Sequence, residues 1–461
     1  MKQRINRPQA SDNPLGTAPV FQLIAKFAIP TIISMLVNSA YNMTDQVFIG
    51  HSVGMLGNAA TNVAFPVVNF SGAFCQLLGV GTAANFNMSM GANKKDEAER
   101  FVGTGLSLIP LAGLIIMTLV LCFKTRILEL FGATASVLPY AKMYLSITVF
   151  GIPFQMFSFA GSFLVRADGS PAYSMACTSA GAVLNIFLDW LFMFKFNLGI
   201  QGAAMATVAS QVFSGLLCLS YFFRFKTFKI RFRHLGFRLK YVFQIAKLGL
   251  SNFFNHLMMM LVNIVMNNTL THYGAMSVYG GDIPLAVSGV VGKVNNIMSA
   301  VTIGLAQGAQ PIWSYNMGAK NYARVKSTYK KALSAALVMN MLTFILLQTF
   351  PRQIVSIFGT GDELYFEFAE RYTRIFLFMV FVFGVQIISV NYFTGIGEVK
   401  KGIVMSLSRQ GLFMLPLLVL LPRFFGLDGA LYAGPAADLM ACLLAAVLVH
   451  RDFRKFDRKY L

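Results

Sequence analysis

Charge is scarce in this chain, and what there is leans one way. Asp, Glu, Lys and Arg make up 12% of the 461 residues, against 56% hydrophobic residues. A soluble domain carries about 25% charge, so an ordinary globule is excluded. Cysteine and histidine number five each. Cys75, Cys122, Cys177, Cys218 and Cys442 lie in or beside apolar stretches and form no CxxC or Cys/His set. Structural zinc and dithiol chemistry are therefore unsupported, and the cysteines read as small buried hydrophobes. The scattered histidines supply no cluster for an intramembrane enzyme, so no catalytic residue and no cofactor is expected. A cleavable leader is not expected either: the start is polar, and the first apolar run is a full span.

What fills the chain instead is a series of apolar runs, each near or above the 20 residues that cross about 30 Å of hydrocarbon. Twelve are predicted, at 20–50, 58–82, 99–123, 137–160, 163–190, 196–222, 241–270, 283–314, 325–350, 364–393, 400–422 and 427–449. Barrel strands would be short and alternating, not continuously apolar. The class is an all-α polytopic membrane protein.

The 38 Lys and Arg outnumber 18 Asp and Glu, which could suggest nucleic acid, but their placement argues otherwise. They gather at Lys2, Arg4 and Arg7, at Lys94, Lys95 and Arg100, at Arg166, and at Lys320, Arg324, Lys326, Lys330 and Lys331. Further groups are Lys400 and Lys401, and Arg451, Arg454, Lys455, Arg458 and Lys459. The densest run joins the halves: Arg224, Lys226, Lys229, Arg231, Arg233, Arg238 and Lys240. Alternating spans put about 26 of these on one side and about five (Lys124, Arg126, Lys195, Arg352, Arg423) on the other. The positive-inside rule then predicts a multi-pass protein of the cytoplasmic (inner) membrane with both termini in the cytoplasm. The basic linker is expected along anionic headgroups, each base worth about 1 kcal/mol. No nucleic-acid fold accompanies it, and nucleic acid is not expected as a partner.

The second half repeats the first. A shift of about 227 lays Met90-Gly91-Ala92 on Met317-Gly318-Ala319, Phe131-Gly132 on Phe358-Gly359, and Gly199, Gly202 and Ala203 on Gly426, Gly429 and Ala430. Near the start a shift of about 221 pairs Ile24-Ala25-Lys26 with Ile245-Ala246-Lys247, so an insertion of roughly six residues is expected near 277–284. The predicted layout is a tail at 1–19, a first lobe of six helices at 20–223, a basic linker at 224–240, a second lobe at 241–449 and a basic tail at 450–461. Transporters are often duplicated in this way, with the substrate path between the halves.

The buried acids do not follow the repeat. Asp45 lies late in helix 1 and Asp189 late in helix 5; Asn185 shares a helix face with Asp189, and Thr207 lies in helix 6. A central Asp costs about 2.5–3.5 kcal/mol in a membrane helix, so each needs a reason. The repeat puts Met266 opposite Asp45, Leu412 opposite Asn185, Pro416 or Leu417 opposite Asp189, and Gly434 opposite Thr207. A set present in one lobe only points to a function rather than a shared structural need. Carboxylate, amide and hydroxyl oxygens together suit Na⁺, or a proton shared between carboxylates that cannot both stay ionised. The competing reading is that Asp189 caps the outer end of helix 5. Pro30 in helix 1 removes a backbone hydrogen bond and is either a hinge or a static kink. Helix 7 offers Asn255, His256, Met259 and Asn263 as candidate cavity residues, pliable Met suiting a promiscuous site. His256 is either a proton carrier or a hydrogen-bonded core imidazole. Asp438 in helix 12 either faces the cavity or pairs with a neighbouring helix.

Taken with “AIPTIISMLVNSAYNMTDQVFIG”, “VRADGSPAYSMACTSAGAVLNIFLDWLF” and “LGIQGAAMATVAS”, the chain resembles the MATE family, the multidrug and toxic compound extrusion transporters. The resemblance covers nearly the whole length. It implies two six-helix bundles in a V around a central cavity. In DinF-like members a cation site uses an Asp of helix 1, an Asn and Asp of helix 5 and a Thr of helix 6, here Asp45, Asn185, Asp189 and Thr207. NorM-like members add acids in helices 7 and 10, which are absent here, favouring the DinF-like or MepA-like side. The implied activity is antiport of H⁺ or Na⁺ against amphipathic, cationic organic compounds, and a monomer is expected. A flippase for a lipid-linked saccharide or other amphipathic metabolite is the alternative. A major-facilitator transporter is disfavoured, because “MGANKKDEAER” stands where its charged loop belongs.

Overall fold

Backbone N–H and C=O groups in hydrocarbon have to be satisfied within their own segment, so each apolar run becomes a helix. The computed structural model describes residues 13–231, 234–357 and 361–458. The predicted positions Lys2, Arg4, Arg7, Arg233, Phe358, Gly359 and Lys459 lie outside them. Twelve long helical segments follow in order: α1 Val20–Ser52, α2 Leu56–Gly91, α3 Lys95–Leu130, α4 Leu138–Ala167, α5 Pro171–Lys195 and α6 Gly199–Phe222. The second series is α7 Leu239–Ala275, α8 Asp282–Gly318, α9 Tyr322–Thr349, α10 Glu363–Gly395, α11 Val399–Phe425 and α12 Leu427–Arg458. Ten are long and apolar enough to cross a membrane alone, and α10, bent by 51° after Phe376, makes an eleventh. α8 is 37 residues long but interrupts its apolar surface with Lys293, Asn295, Asn296, Gln307 and Gln310.

Several boundaries differ from the sequence expectation, the α4–α5 turn and the end of α12 among them. α4 does not stop at 160; it runs to Ala167, and the turn Asp168–Ser170 separates it from α5. Gly169, at φ +82°, makes that turn and Pro171 starts the next helix, the usual division of labour between these residues. The tail after 449 is helical to Arg458. It is anchored by Asp452, which accepts from Tyr392 Oη at 2.9 Å and Lys401 Nζ at 2.6 Å. Residues before α1 are anchored too: the short turn Pro14–Thr17 buries Leu15, whose carbonyl accepts from Asn316 Nδ2 at 2.9 Å. Both described ends of the chain thus sit at one end of the bundle.

The halves cross at that end, and they cross by the repeat. A Cβ on Gly91 would stand 1.9 Å from the Tyr315 carbonyl oxygen, and one on Gly318 2.0 Å from that of Met88. Gly91 and Gly318, like Met88 and Tyr315, are repeat counterparts. Each lobe also lends its first helix to the other's core. Val20, Ile24 and Phe27 of α1 pack with Trp313, Tyr329 and Tyr392, while Tyr241 and Ile245 of α7 pack with Phe86 and Phe101.

Candidate functional site

One turn of α5 presents Asn185 and Asp189 to the interior, 1% and 0% exposed. The helix does not end at Asp189; a π-helical stretch carries it on through Trp190–Lys195. The capping reading fails on that geometry, since both Asp189 oxygens are buried without a hydrogen-bond donor. π-turns of this kind gather at functional sites. α1 brings Asp45 against Asp189, carboxyl to carboxyl, with Tyr41 and Tyr144 beside the pair. Thr207 of α6 lines the same cavity as Asp45 and Tyr144. The four residues taken from helices 1, 5 and 6 therefore converge.

Buried polar atoms without a partner concentrate here: Asp45 Oδ1, Asp189 Oδ1 and Oδ2, both Asn185 amide atoms, and Gln211 Oε1. Orphaned buried acceptors are costly unless a positive group or proton joins them. The donor set, oxygen-rich with two carboxylates, fits a proton or a hard monovalent cation. Among the described residues no group of three His, Cys, Asp or Glu gathers for a metal ion.

Two cavities meet the site. The larger, about 370 Å³, is lined by Asp45, Gln46, Tyr144, Thr207 and Gln211 on one side and by Lys293, Asn296 and Ile297 of α8 on the other. That volume lies in the range of small-molecule pockets. The smaller, about 50 Å³, reaches Asn185 and shares Tyr41, Gln155 and Gln211 with it. A crevice of about 940 Å³ lies apart, between α3, α4, α6 and the linker, with walls such as Leu114, Phe154 and Leu219. It holds no acid, and its apolar lining suits lipid.

Other candidates sit elsewhere. None of Asn255, His256, Met259 and Asn263 lines the cavity beside Asp45. His256 Nε2 instead packs on α2, 3.3 Å from where a Cβ on Gly72 would stand. Asp438 accepts from Arg409 Nε at 2.5 Å. Pro30 lies within the unbroken helix α1. Its carbonyl accepts from Ser34 Oγ at 2.9 Å. Sequence reasoning missed Lys293, although a lysine inside the run 283–314 was a readable signal, and it missed Arg409 as the partner of Asp438.

A polytopic two-lobed helical protein, with an orphaned acid pair opening on a drug-sized cavity, has the architecture of a membrane transporter. A family model, MatE, matches residues 30–191 and 250–420, and the chain belongs to that family. Multidrug export protein MepA of Staphylococcus aureus (strain N315) is 26% identical over 94% of both chains. The solved structure of the MATE multidrug transporter DinF-BH is 31% identical, with TM-score 0.88, and the match covers 96% of this chain and 98% of that one. The fold also matches an outward-facing MATE family transporter of the MOP superfamily at TM-score 0.89 and 20% identity, over 95% and 97% of the chains.

Proposed function

We propose that the protein is a secondary active exporter that exchanges H⁺ or Na⁺ for amphipathic organic cations across the cytoplasmic membrane. Its lobes are then 20–223 and 241–449, and both termini lie in the cytoplasm with the basic linker and tails. The observation that carries the reading is the orphaned set Asp45, Asn185 and Asp189 beside a cavity of about 370 Å³. An acid pair that forms no ion pair among the described residues takes a positive charge from outside.

In the proposed cycle a cation enters from outside and neutralises the Asp45–Asp189 pair. Its charge no longer holds a cationic substrate in the adjoining cavity, and the substrate leaves outward. α1 carries Asp45 and includes Pro30, so a change of α1 at Pro30 links the two events. Return of the cation-loaded protein delivers the ion inward and reopens the cavity. One charge moving through about 100 mV releases about 2.3 kcal/mol, enough for roughly a 50-fold gradient of a neutral solute. Exchange of one ion for one monovalent organic cation moves no net charge, so only the ion's chemical gradient drives it.

Lys293 gives some weight to the second reading, a flippase of an amphipathic metabolite bearing an anionic headgroup. Ethidium efflux from vesicles under separately imposed H⁺ and Na⁺ gradients decides between them. Efflux that follows one gradient identifies the antiporter and its ion. No gradient-dependent efflux from well-expressed protein overturns the export reading and leaves the flippase.

A further inference from the structure

The second lobe also holds an acid in its membrane interior, and that acid is not orphaned. Arg409 on α11 donates from Nε to Asp438 Oδ1 on α12 at 2.5 Å, with side chains only 14% and 6% exposed. The guanidinium lies over the ring of Phe383 on α10, 4.6 Å from its centroid. Among the described residues Cys442 also lies against Asp438.

The repeat gives this pair its meaning. Moving back by about 227 places Arg409 on Ala182 and Asp438 on Gln211. Ala182 and Gln211 both line the small first-lobe cavity that reaches Asn185. Gln211 also lines the larger cavity with Asp45 and Thr207. One lobe thus keeps a cavity of about 50 Å³ where the other places an arginine head and a carboxylate. Arg409 lies in the π-helical stretch Ser408–Met414, so α11 departs from regular winding where it delivers the guanidinium.

We propose that Arg409 is a tethered cation: beside the second-lobe counterpart of the pocket that adjoins the Asp45–Asp189 site, it does for Asp438 what an exchangeable cation does for the first-lobe acid pair. A buried carboxylate needs a positive neighbour or a proton. The first lobe meets that need from outside, and the second meets it with a side chain that stays protonated throughout. A covalently held charge does not leave, so Asp438 keeps one charge state through the cycle and the second lobe takes no part in coupling. Arg409 is a positioning residue in this scheme, and it sets how many exchangeable cations the protein uses.

The readout rests on the export reading above. Export rate is followed against driving-cation concentration for wild type, Arg409→Met and Arg409→Met/Asp438→Asn. In Arg409→Met the carboxylate becomes a second exchangeable site, and the Hill coefficient rises from about 1 toward about 2. The double variant returns to the wild-type slope. A merely structural ion pair changes protein yield or maximal rate and leaves the slope alone, so an unchanged slope in folded Arg409→Met overturns the proposal. If Arg409→Met does not fold, the double variant decides: retained gradient coupling supports the proposal, and lost coupling in folded protein refutes it. If wild type shows no gradient-driven export, it is the functional reading that fails. Proton uptake by detergent-solubilised protein on an acid jump then tests the pair. One more proton for Arg409→Met than for wild type supports the proposal, and an equal number refutes it.

Discussion

Two buried acids of the same type meet opposite fates in this molecule, and single residues decide which. Among the described residues Asp189 enters no ion pair and both its oxygens are orphaned, whereas Asp438 is closed by Arg409. Removing one member of a buried ion pair costs about 3–5 kcal/mol, while replacing both with neutral groups is often close to neutral. Arg409→Met is therefore expected to lower thermal stability in detergent sharply, and Arg409→Met/Asp438→Asn to recover most of it. Asp168 shows a third arrangement. It accepts from Tyr221 Oη at 2.7 Å, from the backbone N–H of Lys226 at 2.6 Å and of Thr227 at 3.0 Å, and from the Thr227 hydroxyl. Burial nonetheless holds its carboxyl above the usual range. A carboxyl raised in the folded state binds its proton more tightly there than in the unfolded chain, so stability falls as pH climbs from the ordinary carboxylate range through the raised one. Thermal melts across that interval should show this slope in wild type and lose it in Asp168→Asn. The first-lobe acids were legible in the sequence because a charge inside an apolar run is conspicuous and the repeat supplied an internal comparison. The Arg409–Asp438 bond was not, because its partners are far apart in sequence on separate helices and only packing brings them together.

Helices were the most readable level, and their ends the least. Each apolar run became helical, α10 as two helices bent by 51°, because hydrocarbon leaves the backbone no other partner. The α4–α5 turn was misplaced because Phe163, Leu164 and Val165 continue the apolar run, so hydropathy alone marks no stop before Ala167. The cue was chemical: Gly169 and Pro171 stand where the turn forms. α12 runs beyond its apolar part because Phe456 stacks on Tyr322 at 4.8 Å and Asp452 is bonded to two residues. Helix 7 was a reasonable place to seek a cavity wall, yet α8 supplies it, because α1 and α8 pack side by side. Where α2 crosses α8, the seam tolerates no side chain at Gly91. Gly91→Leu is expected to hold that end apart. Ser314, 0% exposed at the seam, gives the measurement: Ser314→Cys should resist an aqueous maleimide in the native background and label in Gly91→Leu. Equal labelling in both backgrounds would refute a seam closed by backbone contact.

At the scale of the whole molecule, a duplicated fold has kept its symmetry where the lobes cross and lost it where charge is handled. The crossing uses matched pairs, Gly91 on Tyr315 and Gly318 on Met88; the acids share no such match. Coupling in this account belongs to one lobe, while the other supplies a wall, Lys293 and Asn296, and a charge already neutralised. Alternating access then requires only that both lobes move, not that both bind the ion. The decisive measurement follows ethidium efflux and ion influx together in the same proteoliposomes, comparing wild type with Asp189→Asn. The account predicts coupled flows in wild type and, in the variant, loss of both uphill efflux and ion influx with ethidium binding retained. Uphill, ion-driven efflux by Asp189→Asn at the wild-type rate would contradict it.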